Sequence, residues 1–283
     1  MKSCLVLEGG AKRGIYTAGV LDVLLENNII TDGVIGVSAG AIHGCSYVAK
    51  QLGRSIRYNL KYNDDYRFMS FKSLLKTGNM VDTDFAYHEL PEKLDPFDHQ
   101  AFESSNIKFY ATCTNVKTGK AEYILCPNLR EHYIDYLRAS ASMPLVSQIV
   151  RLDGNDYLDG GISDSIPLKA AFNLGYQKNI VVLTRPDGYV KKPFSMLMLA
   201  KLVYRKFPNF INTLKNRHQD YNQATEYIKD LEKKGKIVVI RPSKLVKISR
   251  METDVEKIKQ MYELGRTDAL NALEQIQQFL NIA

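Results

Sequence analysis

The sequence GVIGVSAGAIHG at residues 33–44 places a short apolar run directly before a G-x-S-x-G pentapeptide and a helix-forming stretch after it. The apolar run predicts a buried strand, and the stretch that continues to residue 51 predicts a helix. Small residues such as Gly36 and Gly40 let the chain turn sharply between the two, which forces the Ser38 side chain outward at the end of the strand. This setting indicates a nucleophilic serine, and a purely structural turn is the alternative.

A second glycine-rich turn, GGAKRG, follows the apolar run at residues 4–7 and precedes another helical pattern. Its glycines let backbone N–H groups converge, and the start of a helix adds partial positive charge, so the turn can bind a phosphate or an oxyanion. A dinucleotide-binding fingerprint requires glycine where Ala11 stands, and a P-loop requires lysine where Ile15 stands. An oxyanion hole is therefore the better interpretation. Its candidate residues are Gly9, Gly10, Ala11, Lys12, Arg13 and Gly14.

The Arg13 side chain has two interpretations of its own. It either fixes the glycine-rich turn or attracts an anionic head group. A third interpretation, an exposed cation in the first turn of a helix, is disfavoured because the positive end of the helix dipole repels it.

The chain repeats the order of strand, turn and helix, which is typical of an α/β protein with a mostly parallel sheet and helices on its faces. A hairpin is predicted for residues 107–114 and 121–125, with further strands at 180–183 and 237–240. Residues 54–104 show weak periodicity and predict helices and loops over one face, while an apolar stripe at residues 255–279 predicts a helix docked on the body. Neither a repeat nor a low-complexity linker interrupts the sequence, so we expect one domain over residues 1–283.

A third short motif, Asp159-Gly160-Gly161, follows the run at residues 156–158. It places a carboxylate at the end of a strand, next to two glycines that leave room for another group. Taken alone, this tripeptide is most often a structural turn.

These motifs, in this order, resemble the patatin-like phospholipase family. The glycine-rich loop, the G-x-S-x-G nucleophile and the D-G-[AG] motif of that family match residues 9–14, 36–40 and 159–161, and its A-S-x-S-x-P stretch matches residues 139–144. The resemblance is close over residues 4–190 and loose over 191–283. It implies a three-layer α/β fold, a Ser38–Asp159 dyad and hydrolysis of lipid esters, without a cofactor or a metal. Ala11 departs from the family pattern, which affects the exact oxyanion donors.

A serine–aspartate dyad must activate the serine without histidine. A free aspartate, with a pKa of about 3.9, is a weak base, but burial can raise that value into a useful range. The alternative is a triad in the chain order Ser38, Asp159, His218, because His218 is the only one of five histidines that follows Asp159. His218 lies in a polar stretch that predicts an exposed helix, and this favours the dyad.

Two alternatives come from other functional classes. A non-catalytic lipid-binding or regulatory protein would have no need for all three motifs. Nucleic-acid binding would rest on the net charge of +7 alone, since the basic residues are scattered and no binding motif is present. We therefore expect a lipid ester as the partner and no nucleic acid.

The expected location is cytoplasmic, with peripheral contact to a membrane left open. The N-terminus leads directly into a strand pattern, no apolar run is long enough to span a bilayer, and the four cysteines have neither disulfide-like nor metal-ligand spacing. Residues 194–210 interleave apolar residues with Lys201, Arg205 and Lys206. This stretch fits an interfacial helix or a wall of an acyl channel, although core packing with a basic edge is slightly favoured.

Overall fold

A central, mostly parallel sheet of eight strands runs through the protein, whose computed structural model describes residues 1–282. The strands are β1 (Ser3–Leu7), β2 (Gly33–Val37), β3 (Lys108–Asn115), β4 (Ala121–Leu125), β5 (Val150–Leu152), β6 (Asn155–Asp159), β7 (Lys178–Val182) and β8 (Ile237–Ile240). Hydrogen bonds link them in the order β5-β6-β3-β2-β1-β7-β8, and β4 pairs with β3. The pairs from β3 through β2, β1 and β7 to β8 are parallel, whereas β4, β5 and β6 pair antiparallel.

Eleven α-helices are present in the described part of the chain. They are α1 (Ile15–Glu26), α2 (Ala39–Val48), α3 (Arg54–Lys61), α4 (Phe71–Thr77), α5 (His99–Glu103), α6 (Glu131–Ser140), α7 (Leu168–Asn173), α8 (Leu197–Val203), α9 (Pro208–Lys233), α10 (Val255–Asn271) and α11 (Leu273–Leu280). Short 3₁₀ turns cover Ala11–Gly14 and Gly160–Ile162, and a π-helix covers Phe85–Leu94.

Helices cover both faces of the sheet because alternate strand residues point to opposite sides. Leu5 and Leu7 of β1 pack into a large core together with α1, α2, α6 and α10. Cys4 and Val6 of the same strand pack into a second core with α7 and α9. The protein is therefore an α/β three-layer sandwich, which confirms the predicted fold class.

The C-terminal helices dock on the first helix of the chain. The Tyr16 hydroxyl donates to Asp268 at 2.9 Å, and the Tyr262 hydroxyl donates to Asp22 at 2.8 Å, so α1 and α10 are joined by two buried or half-buried hydrogen bonds. The apolar stripe predicted for one helix is divided between α10 and α11, and four of its residues are buried in the large core: Ile258, Met261, Leu264 and Ile276.

The hairpin of β3 and β4 and the strands at β7 and β8 agree with the sequence predictions. Residues 54–104 form helices and loops, as expected, but the π-helix among them was not anticipated. The sequence reading also missed the hairpin of β5 and β6. No helix within residues 1–282 is both long and apolar enough to cross a bilayer.

Candidate active site

The pairing of β3 brings the ends of β2 and β6 together. Val37, the last residue of β2, pairs with Thr112, and Asp159, the last residue of β6, pairs with Cys113. Since β4 occupies the other edge of β3 over the same residues, β2 and β6 lie end to end along one edge. Ser38 and Asp159, 121 positions apart in the sequence, therefore meet at this junction.

Ser38 lies in a strained turn between β2 and α2. Its backbone has φ 54° and ψ −123°, a conformation that costs a residue with a side chain of order 1–3 kcal/mol. The turn is possible because its flanking glycines lie against main chain: a Cβ on Gly36 would lie 2.5 Å from Cα of Ala41, and one on Gly40 would lie 2.6 Å from the Leu7 carbonyl oxygen. The strain is typical of a nucleophile elbow, which presents the serine hydroxyl at the end of the sheet.

The segment at residues 139–144 holds both ends of this junction. The Ser140 hydroxyl oxygen accepts the backbone N–H of Ser38 at 3.0 Å, and the Ser142 carbonyl accepts the backbone N–H of Asp159 at 2.8 Å. The A-S-x-S-x-P stretch thus acts as a clamp on the two strand ends.

Asp159 is almost fully buried and has three polar neighbours. Its carboxylate accepts the Gly161 backbone N–H at 2.7 Å. Burial raises the pKa of Asp159 above the ordinary aspartate value, although the neighbouring Ser38 hydroxyl, the Arg217 guanidinium and the Gly161 N–H each lower it. Desolvation is the largest of these effects, so the carboxylate holds a proton more readily than a free aspartate does.

The glycine-rich turn lies directly beside Ser38. A Cβ placed on Gly9 would be 3.3 Å from Cβ of Ser38, and Ala11 adopts a left-handed φ of 48° at the start of the 3₁₀ turn. The Gly9 N–H donates to the Ser165 carbonyl and the Arg13 N–H to the Gly10 carbonyl. Within the described residues, the N–H groups of Gly10 and Ala11 make no hydrogen bond and remain available.

The side chains of the turn point in different directions. Lys12 is buried, and its ammonium donates to the side-chain oxygens of Asn59 at 3.2 Å and Asn63 at 3.3 Å. Burial lowers the pKa of Lys12 to about 8. Gly14 lies against α2, where a Cβ would be 2.6 Å from that of Ala39, so this glycine serves close packing at the elbow.

A cavity of about 160 Å³ is lined in part by Ser38. Its walls are mostly apolar and include Ile42, Met80, Leu137 and Met143. Buried polar groups interrupt them on one side, among them His43, whose pKa burial lowers to about 3 and whose imidazole is therefore neutral.

Among the described residues, no histidine makes a polar contact with Asp159. His218 lies on α9, half-buried, with Nδ1 facing the Lys215 carbonyl of its own helix at 3.1 Å. Nor do residues 1–282 hold a group of three or more His, Cys, Asp and Glu arranged to bind a metal ion.

Comparison with known protein families matches the part of the chain that contains this site. The family model described as Patatin-like phospholipase matches residues 5–172, which include the glycine-rich turn, Ser38, the clamp and Asp159. The chain belongs to the patatin-like phospholipase family. Membership supports a lipid acyl hydrolase activity. A second model, described as a domain of unknown function, matches residues 207–281, which include all of α9, β8, α10 and α11.

Relatives of this patatin-like protein differ in how much of their length they share with it. "Uncharacterized protein YjjU" of Escherichia coli is 28% identical over 93% of this chain and 74% of its own length. "Lysophospholipase nte1" of Emericella nidulans is 29% identical over 60% of this chain but only 11% of its own length. Among solved structures, VipD from Legionella pneumophila has a TM-score of 0.47 at 13% identity, covering 97% of this chain and 67% of that chain.

One residue of this patatin-like site had no signal in the sequence. Arg217 of α9 donates from Nε to the Gly161 carbonyl and lies next to Asp159. It stands in a polar stretch of α9 that reads as an exposed helix, and only the packing of α9 on the Gly160–Ile162 turn reveals its contact. A local pattern could not have identified it.

Proposed function

We propose that this protein hydrolyses lipid esters with Ser38 as the nucleophile and Asp159 as its proton acceptor. The observation that carries the proposal is the register of β3, in which Val37 and Asp159 pair with the consecutive residues Thr112 and Cys113. The Ser38 hydroxyl also lies near enough to the Asp159 carboxylate to lower its pKa, which supports the proposal further.

In the first half of the reaction, Ser38 Oγ attacks the ester carbonyl while Asp159 takes its proton. Collapse of the tetrahedral intermediate breaks the bond to the leaving alkoxide, which receives that proton as an alcohol. In the second half, Asp159 takes a proton from water, the hydroxide attacks the acyl-serine, and the proton returns to Ser38 as the fatty acid leaves.

The raised pKa of Asp159 suits both halves of this cycle. A carboxylate with an ordinary pKa would accept a proton from serine only weakly, whereas burial makes Asp159 a stronger base. The same shift lets protonated Asp159 remain a donor until the alkoxide leaves.

The free N–H groups of Gly10 and Ala11 are the proposed oxyanion donors, because those of Gly9 and Arg13 already serve the turn itself. Removal of a single donor from such a hole typically costs a factor of 10² to 10³ in kcat. The apolar cavity beside Ser38 is the proposed acyl site, since its walls can take an alkyl chain out of water.

A fluorophosphonate probe followed by mass spectrometry tests the nucleophile. We expect labelling at Ser38, loss of ester turnover in Ser38→Ala and Asp159→Asn, and nearly intact turnover in His218→Ala. Loss of activity in His218→Ala alone would favour the triad, and an unlabelled Ser38 in folded protein would favour a non-catalytic lipid-binding protein.

We also propose peripheral contact with a membrane through α8. Core packing buries Ala200 of α8 and the following Tyr204, whereas Met198 and Leu202 are 77% and 67% exposed next to the exposed cations Lys201, Arg205 and Lys206. Exposed apolar side chains beside cations are characteristic of helices that rest on anionic lipid.

A loop that contributes to the cavity wall connects the end of α8 to α4, which also exposes apolar side chains. The Tyr204 hydroxyl accepts the Leu145 N–H at 2.9 Å, and Gln148 Nε2 donates to the Thr77 carbonyl at 3.0 Å, so the loop between these residues joins the two helices. Phe71 and Leu75 of α4 are also exposed, and Met143 and Ser147 of the loop line the cavity. A bilayer in contact with α8, the loop and α4 would deliver its lipid at the cavity.

A further inference from the structure

Five cationic side chains lie near one another, close to Asp159 and the glycine-rich turn. We refer to Arg13, Arg185, Lys191, Arg217 and Arg250 together as the cationic cluster. Only Arg13 belongs to the segment that matches the patatin-like family model, which ends at residue 172. The other four come from the segment that follows it, and two of them lie in residues 207–281.

Arg217 forms the inner edge of the cluster. Its Nε donates to the Gly161 carbonyl, and its Nη2 lies 3.5 Å from the point that a Cβ of Gly161 would occupy, with Asp159 Oδ1 3.0 Å from that same point. The guanidinium is thus fixed next to the proposed proton acceptor without forming a close ion pair with it in the described residues.

The Lys191 and Arg185 side chains each pack against the ring of a tyrosine. The Lys191 ammonium lies 3.8 Å from the ring centroid of Tyr221, and the Arg185 guanidinium lies 4.3 Å from that of Tyr189. The two rings pack edge to face with centroids 6.0 Å apart. The aromatic faces hold both cations by cation–π attraction and leave their N–H groups free for an anion.

Arg13 and Arg250 complete the cluster. Arg13 Nε is buried and has no hydrogen-bond partner among the described residues. Arg250 lies in the loop before α10, which is tied to the glycine-rich turn: Asn63 donates to the Thr253 carbonyl in this loop and accepts from Lys12, the neighbour of Arg13.

The carboxylates nearby do not balance this charge. Two carboxylates, Glu8 and Asp159, stand against five cations. Glu8 also accepts from the Tyr221 hydroxyl at 2.8 Å and from Thr184. Burial, followed by the neighbouring cations, lowers the pKa of Arg13 to about 10, while burial and then Arg217 lower that of Lys191 to about 7. Cations held this close repel one another unless an anion lies between them.

We propose that the cationic cluster binds the phosphate of a lipid head group with net negative charge, while the ester of the same lipid lies at Ser38. The segment after residue 172 would then supply the specificity for the head group. This inference rests on the proposed function. It predicts preference for an anionic head group over a zwitterionic one, whose own cation would meet the cluster unfavourably, and over an uncharged one.

The test compares three soluble esters that share one short acyl chain and carry a glycerophosphate, a glycerophosphocholine or a plain glycerol. Wild-type protein is measured beside Lys191→Gln, Arg250→Gln and the double variant. The matched control is Lys215→Gln, which removes an exposed charge from α9 two positions from Arg217.

We expect wild-type kcat/KM to be at least about tenfold higher for the glycerophosphate ester than for the glycerol ester. In the double variant, kcat/KM for the glycerophosphate ester should fall about tenfold, chiefly because KM rises. The decrease in kcat/KM should be smallest for the glycerol ester. An equal loss on all three esters, an equal loss in Lys215→Gln, or no wild-type preference would overturn the proposal.

A binding measurement separates this proposal from the hydrolase itself. Calorimetry with glycerol 3-phosphate and Ser38→Ala protein needs no turnover, and we expect the Lys191 and Arg250 double variant to weaken binding about tenfold. Unchanged binding would overturn the head-group site even if Ser38 hydrolyses esters. Failure of wild-type protein to hydrolyse the glycerol ester, with this binding intact, would instead overturn the proposed function.

Inorganic phosphate distinguishes a lipid head group from a free ion. Weaker binding of inorganic phosphate than of glycerol 3-phosphate supports the head-group site. Equal binding, together with no preference among the three esters, would make the cluster a site for the free ion.

Discussion

The Ser140 hydroxyl oxygen accepts the backbone N–H of Ser38 at 3.0 Å, and this bond ties the strained elbow to the segment that also anchors Asp159. Because the φ of Ser38 is positive, the elbow needs external support to persist. Ser140 is therefore a positioning residue for the proposed nucleophile.

Replacing Ser140 by Ala should lower both stability and activity. The buried N–H of Ser38 would lose its acceptor, which costs about 1–3 kcal/mol in the free energy of unfolding. We expect kcat to fall at least tenfold while KM changes little, measured on a soluble ester. Ser142→Ala is the matched control, since that hydroxyl donates only to the Arg138 carbonyl within the described residues. A Ser140→Ala protein with wild-type kcat would contradict the role of the clamp.

The pH dependence of turnover should report the pKa of Asp159. The free enzyme needs the ionised carboxylate to accept the serine proton, so kcat/KM should fall as the pH drops through the raised pKa of Asp159. The Arg217 cation lowers that pKa, so Arg217→Gln should move the acid limb to higher pH, whereas Arg217→Lys should move it less. Parallel pH profiles for the three proteins would mean that another group sets the limb.

The raised pKa also has a consequence for stability. The folded state holds the Asp159 proton more tightly than the unfolded state does, so the contribution of Asp159 is most favourable below the unfolded pKa of about 3.9 and decreases as the pH rises through the folded pKa. Ionised Asp159 therefore destabilises the fold at neutral pH. We expect Asp159→Asn to be inactive yet to have a Tm at pH 7 equal to or above that of wild type, with the difference shrinking in acid. A lower Tm for the variant at pH 7 would contradict this.

The parts of the site that depend on local sequence could be predicted. The turns at residues 9–14 and 36–40 each follow an apolar strand and precede a helix, and both appear in the structure as expected. The tripeptide at 159–161 was ambiguous by itself, and it was the order of the motifs that linked it to Ser38. The single-domain organisation stays a prediction.

Contacts between distant segments were beyond the sequence. The hairpin of β5 and β6 was missed although Asp153-Gly154 gives a signal for it: both residues have positive φ, as a two-residue hairpin turn requires. Arg217, Lys191 and Arg250 carried no such signal. Their positions depend on the packing of α9 and of the loop before α10, which no local periodicity encodes.

Two glycines of α2 should respond differently to the same substitution. A Cβ on Gly40 would lie 2.6 Å from the Leu7 carbonyl oxygen and 2.8 Å from that of Glu8, so main chain would have to move. We expect Gly40→Ala to cost about 3 kcal/mol in the free energy of unfolding. Gly44→Ala meets the flexible Leu7 side chain first, at 2.9 Å, and gains up to about 1 kcal/mol of helix propensity. Equal costs in urea unfolding would contradict this account of the elbow.

The exposed surface of α8 should control binding to vesicles. Met198 and Leu202 are free to enter the lipid interface, where burying them stabilises the bound state by about 1.5–3 kcal/mol each at most. We expect Met198→Gln with Leu202→Gln to weaken binding to vesicles at least about tenfold in co-sedimentation. Leu270→Gln on α10, also an exposed leucine, is the matched control, and the Tm of each variant checks its folding.

Replacing Lys201, Arg205 and Lys206 by Gln should weaken binding to anionic vesicles by about 1 kcal/mol per charge and leave binding to zwitterionic vesicles largely unchanged. Because the two sets of variants remove different attractions, binding that survives both would exclude α8 as the surface that meets the membrane.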